Sequence, residues 1–198
     1  MNPTLFSELQ RLFERTYANV GINLEDCLID RSRCAHLSRL AGAASRELSD
    51  LARTFLRTAD DRLYVGIYYS SWLIEQLEKY DPRSGLSNAN IRSLIMFVEE
   101  INHALHAALQ FKAGLRRIDS EDFARNLELQ GLVDTYLVLL LYVAFSAAAR
   151  RYLEPIVAGS GFIYSSLGPV TLIKAPICEL VTWKPVSSRP NTPISWIL

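Results

Sequence analysis

The sequence predicts an all-α fold: a bundle of about five helices over residues 1–154, followed by a Pro-rich appendage over 155–198 that is β-like or disordered. Three observations carry this expectation. The run from Thr135 to Ala149, TYLVLLLYVAFSAAA, is apolar on every side of a helix and so must be sheathed by other helices or by lipid. Several further stretches repeat their apolar residues at helical spacing. The last 44 residues, in contrast, hold six of the eight prolines and one acidic residue, Glu179.

Taken in order, the first helix is expected to start with Asn2 as N-cap and Pro3 at the first helical position, running through Leu5, Leu9, Leu12, Phe13 and Tyr17 until Gly21. A short acidic segment, Asn23 to Asp30, leads to a long helix over roughly Ala35 to Leu56. There Leu37, Leu40, Ala44, Leu48, Leu51 and Phe55 share one face, and Arg39, Arg46, Arg53 and Arg57 line the other. Asp60-Asp61 breaks it. The next stretch, Leu63 to Tyr80, begins with strand-like composition, but Trp72, Leu73, Leu77 and Tyr80 recur at helical spacing, which favours a helix. After a turn at Asp81 to Gly85, a helix is expected from Asn88 to Lys112, stopped at Gly114. The final helix runs from Asp119 to about Glu154, with Asp119 or Ser120 as cap and Pro155 as terminator. In the appendage, Gly161 to Ser165, Val170 to Lys174 and Ile177 to Trp183 are the β-like pieces.

Composition bounds the function. A chain of 198 residues, 49% hydrophobic and 21% charged, builds one well-buried core. Lysine and arginine together number 21 against 21 aspartates and glutamates, so no global field draws the chain to nucleic acid. Cys27, Cys34 and Cys178 form no CxxC, which argues against a disulfide framework or a zinc ribbon and fits a reducing cytoplasm. The amphipathic, charged start is not a secretory signal. The 15 residues from Thr135 to Ala149 fall short of the roughly 20 needed to cross a bilayer core, so a core helix is preferred over a membrane-inserted one.

Metal-capable groups are densest in Phe97 to His106, FVEEINHALH. Glu100-x-x-His103 has the spacing of half a di-iron carboxylate site, where ligands one turn apart meet one metal. On a helical projection, however, Glu100 falls opposite the apolar stripe, in solvent, while Glu99, His103 and His106 form a polar strip at the edge of the core. With His36, His103 and His106 as its only histidines, the chain has no second Glu-x-x-His, and His-Glu-x-x-His is absent. The plain reading is a helix flank with Glu99 paired to His103. A mononuclear site for a divalent metal, with Glu99, His103, His106 and Glu128 as ligands, is the alternative.

Asn102 lies within the apolar stripe, and a buried amide must be hydrogen-bonded. Gln130 and Asp134 are its expected partners, holding helix register or lining a pocket. Arg125 between Glu121 and Glu128 reads as surface charge. The row Arg39, Arg46, Arg53 and Arg57 reads as a solvated face, the alternative being a contact for an acidic or phosphorylated partner. No phosphate loop or nucleophile elbow is present.

Phe97-Val-Glu-Glu-Ile-Asn-His103 and Leu127-Glu-Leu-Gln-Gly-Leu-Val-Asp134 resemble a motif pair in a group of bacterial helical proteins without an assigned function, approximately Val-Glu-Gly-x-Ser-His and Leu-Glu-Leu-Gln-Ala-Glu-Val-Asp. The resemblance spans about residues 1 to 150. It implies Glu99, His103, Glu128 and Asp134 as site positions and supplies no reaction. The expected function is thus a soluble cytoplasmic accessory or interaction module with a protein partner, self-association being left open. The runner-up is a metal-dependent or acid-base enzyme using Glu99, His103, Glu128 and Asp134. A third class is peripheral membrane association through the 135–149 helix.

Overall fold

A three-stranded mixed sheet with helices on both faces replaces the expected all-α bundle. The computed structural model describes residues 3–41, 50–118 and 120–157, with side chains through residue 145. Its elements are α1 (Leu5–Thr16), β1 (Leu28–Ile29), α2 (Arg31–Ala41), β2 (Ala52–Ala59), β3 (Arg62–Tyr69), α3 (Ser71–Lys79), α4 (Ile91–Lys112) and α5 (Glu121–Val157).

The long helix expected over Ala35 to Leu56 is overturned. Its first part is α2, which ends at Ala41, while Ala52 onwards is extended. Residues 42–49, with Arg46, lie outside the described residues. The helix expected over Leu63 to Tyr80 is likewise half strand, β3, and half helix, α3, divided by Ser70, whose Oγ accepts from the Leu73 amide at 3.3 Å. β2 and β3 pair antiparallel from Ala52↔Tyr69 to Ala59↔Arg62. Asp60 and Asp61, read from the sequence as a helix breaker, are the two-residue hairpin turn, with φ of 51° and 56°. Positive φ at both central residues is the turn whose twist suits a hairpin, and aspartate tolerates it better than most side chains. β1 joins the other edge of β3 in parallel, Leu28↔Ile67.

Alternation along the strands divides the core. Ala52, Leu56, Leu63, Val65 and Ile67 face α1, α3 and α4, where Phe6, Leu73, Leu94 and Ile101 complete the main core. Phe55 and Tyr68 face the other way, against Ile29 and Leu37, with Cys34 of α2 beside them. The strands are thus covered on both faces, so apolar residues occupy both parities and the period-2 signal is blurred. α4 is bound to the sheet by polar contacts too: Thr54 Oγ1 donates to the Glu100 carbonyl at 3.0 Å, and Tyr69 Oη to the Phe97 carbonyl at 2.9 Å.

The ends of the helices also differ from expectation. α1 takes Thr4, not Asn2, as N-cap, Thr4 Oγ1 accepting from the Ser7 amide at 3.0 Å. α5 is capped by Ser120, one of the two expected caps, but continues past its expected terminator Pro155 to Val157. From residue 158 on, the expected appendage and its β-like pieces lie outside the described residues.

The largest correction concerns the apolar run from Thr135, expected to be a core helix sheathed by its neighbours. Val138 is 2% exposed, but Tyr136 is 62% and Leu140 47% exposed. One side of α5 lies on α4, and the opposite side is bare among the described residues. Among the described residues one stretch, Glu121–Phe145, is long and apolar enough to cross a membrane, with a mean hydropathy of 1.5 in its best window, of which 28% is buried.

Candidate functional site: a polar clamp between three helices

α4 and α5 meet along apolar residues, Leu105 and Ala108 on one and Phe123, Leu127 and Val138 on the other. Embedded in that seam are Asn102, His103, His106 and Asp134, all buried. Such groups must find partners or pay a desolvation penalty.

Asp134 is the hub, at 3% exposure. Its Oδ2 accepts from Asn102 Nδ2 and lies 2.9 Å from His106 Nε2. Its Oδ1 accepts from Tyr17 Oη and, at 3.1 Å, from Gln130 Nε2. Gln130 Nε2 also donates to Tyr17 Oη at 2.6 Å, and the Tyr17 ring stands edge-on to the His106 imidazole, centroids 4.5 Å apart. One carboxylate therefore ties together the C-cap of α1, the middle of α4 and the middle of α5. Burial alone would raise its pKa, but the hydrogen bonds from Tyr17, His106, Asn102 and Gln130 outweigh it and hold Asp134 below its usual value. The Tyr17 hydroxyl, desolvated and beside that carboxylate, is pushed up to about 12. With its lone pairs so engaged, Asp134 is held as a structural anion.

His103 belongs to a second group. Its Nδ1 is 3.9 Å from Glu100 Oε2 and its Nε2 3.9 Å from Glu128 Oε1, ion-pair separations too long for hydrogen bonds. Burial works to lower its pKa, yet the carboxylates of Glu100, Glu128 and Glu99 hold it above its usual value. Desolvation raises the half-buried Glu99. The buried Nε2 has no hydrogen-bond partner among the described residues and abuts α5 where Gly131 stands. A Cβ there would come within 2.9 Å of it. Glycine costs about 1 kcal/mol in a helix interior, and here it lets the imidazole reach the α5 backbone.

The structure thus splits the four positions implied by the motif resemblance. Glu99, His103 and Glu128 gather on one side, whereas Asp134 pairs with His106. Glu100, expected in solvent, is partly buried beside His103. Among the described residues no group of three or more His, Cys, Asp or Glu side chains is arranged to hold a metal ion. An apolar cleft lined by Phe6, Ile74, Leu77 and Phe97 lies apart from both groups. Asn102 does meet Asp134, as the stripe position implied. Tyr17 was missed as a member, because nothing near it in sequence marks a bond to a carboxylate 117 residues away.

The arginine row is dispersed. Arg39 is exposed on α2, whereas Arg53 and Arg57 stand on β2 and Arg46 lies outside the described residues. Arg53 is buried, with Nη1 donating to Ser38 Oγ at 2.9 Å and its guanidinium 5.8 Å from the Phe55 ring centroid. A single arginine face of one helix does not exist here.

No protein-family model matches the chain, and no curated protein or solved structure matches it.

Proposed function

We propose that the chain is an intracellular, cytoplasmic accessory protein, an interaction module that binds a protein partner through the bare side of α5. The observation that carries this is the continuous apolar exposure from Leu129 to Val143, with Leu132 at 61% and Tyr136 at 62%. Exposed apolar patches of this extent mark contact surfaces. The polar clamp serves that role mechanically: charge-assisted hydrogen bonds at Asp134 hold α5 at a set angle on α4 and α1, so the docking side is presented rigidly. The engagement of Asp134 by four side chains, and its separation from His103, weigh against an acid-base pair between them.

Peripheral membrane association is the competing use of the same surface. As far as Val138 the opposite side of α5 is packed on the body, with Asp134 at 3% exposure, which weighs against a spanning helix. Co-sedimentation with neutral and with anionic phospholipid vesicles tests the choice. The full chain is expected to remain in the supernatant with both. Vesicle binding that Leu132→Glu/Leu140→Glu abolishes would overturn the protein-docking reading.

A further inference from the structure

The bare side of α5 has an internal symmetry. Leu129, Leu132, Tyr136, Leu140 and Val143 are each 47% exposed or more, and they follow one another at steps of three, four, four and three. At about 100° per residue they lie on one stripe, opposite Leu127 and Val138, which face the body. A spacing that reads the same in both directions about Tyr136 is what an antiparallel two-fold pairing requires, because residue and partner exchange roles across the axis. Turned on itself at Tyr136, the helix sets Leu129 against Val143 and Leu132 against Leu140.

We propose that the partner is a second copy of this chain, paired antiparallel through α5 with Tyr136 on the two-fold axis. This rests on the reading of α5 as a protein-docking surface and names its occupant. Charge supports the same register. Glu121 and Asp122 begin α5, and residues 151 and 150, both arginine, hold helical positions near its end. In the register centred on Tyr136, Glu121 of one copy comes opposite residue 151 of the other, and Asp122 opposite residue 150. Between Leu129 and Val143 the stripe carries no charge, so two copies meet without repulsion.

Sedimentation velocity of the full chain, from the micromolar range upward, is expected to show a concentration-dependent dimer. Leu132→Glu/Leu140→Glu should weaken it by about tenfold or more with unchanged far-UV circular dichroism. Mild oxidation supplies the second measurement, with cross-linked peptides identified by mass so that native cysteines are told apart. Tyr136→Cys should cross-link to itself, whereas Leu129→Cys should cross-link only when mixed with Val143→Cys. Self-cross-linking of Leu129→Cys would indicate a parallel pair and overturn the register. A chain that is monomeric throughout overturns self-pairing. If that monomer also leaves vesicles alone and forms a stable complex with a different protein, the docking reading stands and only its occupant changes.

Discussion

At the scale of single residues, His103 and Asp134, both buried between α4 and α5, should contribute to stability with opposite dependence on pH. His103, held above its usual value among Glu100, Glu128 and Glu99, stabilises the fold in its charged form. A base whose folded pKa is raised contributes fully below its unfolded value, roughly 6.5, and loses the contribution as pH rises through the folded value. Urea unfolding of His103→Gln should therefore run about 1 to 2 kcal/mol below wild type under mildly acidic conditions and converge on it at alkaline pH. A constant gap would mean that packing, not charge, is what His103 supplies. Asp134 has the reverse sign. Its folded pKa is depressed, so its contribution is present above the unfolded value, roughly 3.9, and is lost as pH falls through the folded one. At neutral pH Asp134→Asn should lose about 2 to 3 kcal/mol, since hydrogen bonds to a charged acceptor are the stronger kind, and the loss should shrink in strong acid. Gly131 offers a finer probe: Gly131→Ala pushes a Cβ towards His103 Nε2 and should lower the imidazole pKa in an NMR titration. The buried amide Asn102 was legible in the sequence because it interrupts an apolar stripe. The pairing of His106 with Asp134 was not, since a projection of one helix does not contain the partner helix.

At the scale of elements, α5 has two sides that composition alone makes equal. Val138, 2% exposed, faces the body, and Leu140, 47% exposed, faces away. Val138→Asp should cost about 3 to 5 kcal/mol through a buried unpaired charge and yield little soluble protein. Leu140→Asp should stay soluble and folded, with melting and far-UV circular dichroism close to wild type when studied dilute. If the two variants behave alike, both sides are buried in solution. The hairpin offers a second element-level test. Asp60 and Asp61 both hold positive φ, so Asp60→Asn/Asp61→Gly, the preferred pair for this turn, should raise stability by about 0.5 kcal/mol. Asp61 also pairs with Arg116 on the surface, a contact too exposed to reverse that gain. The strand pair escaped helical periodicity analysis for a specific reason. Ala52, Phe55, Leu56 and Ala59 happen to fall at steps of three and four, and burial of both faces hides their alternation.

At the scale of the whole molecule, α1, the sheet and α4 share one core. The Phe6 ring stands edge-on to Phe97 at 5.7 Å and to Tyr69 at 6.4 Å, joining three elements. Phe6→Ala should lose about 3 to 5 kcal/mol, with far-UV and tyrosine near-UV signals melting together as one transition. Separate transitions would show that the sheet and the helices are independent units. Periodicity along the chain by itself determined the helices α1, α4 and α5 and the polar positions on them, because a 3.6-residue repeat and a misplaced polar group are local properties. The fate of α2, β2 and β3, and the side of α5 that stays bare, were decided only by tertiary structure. Strand pairing joins residues through hydrogen bonds that no single segment contains, and burial depends on which surfaces the rest of the fold leaves within reach. An apolar run states that cover is needed. What supplies the cover is settled by the neighbours.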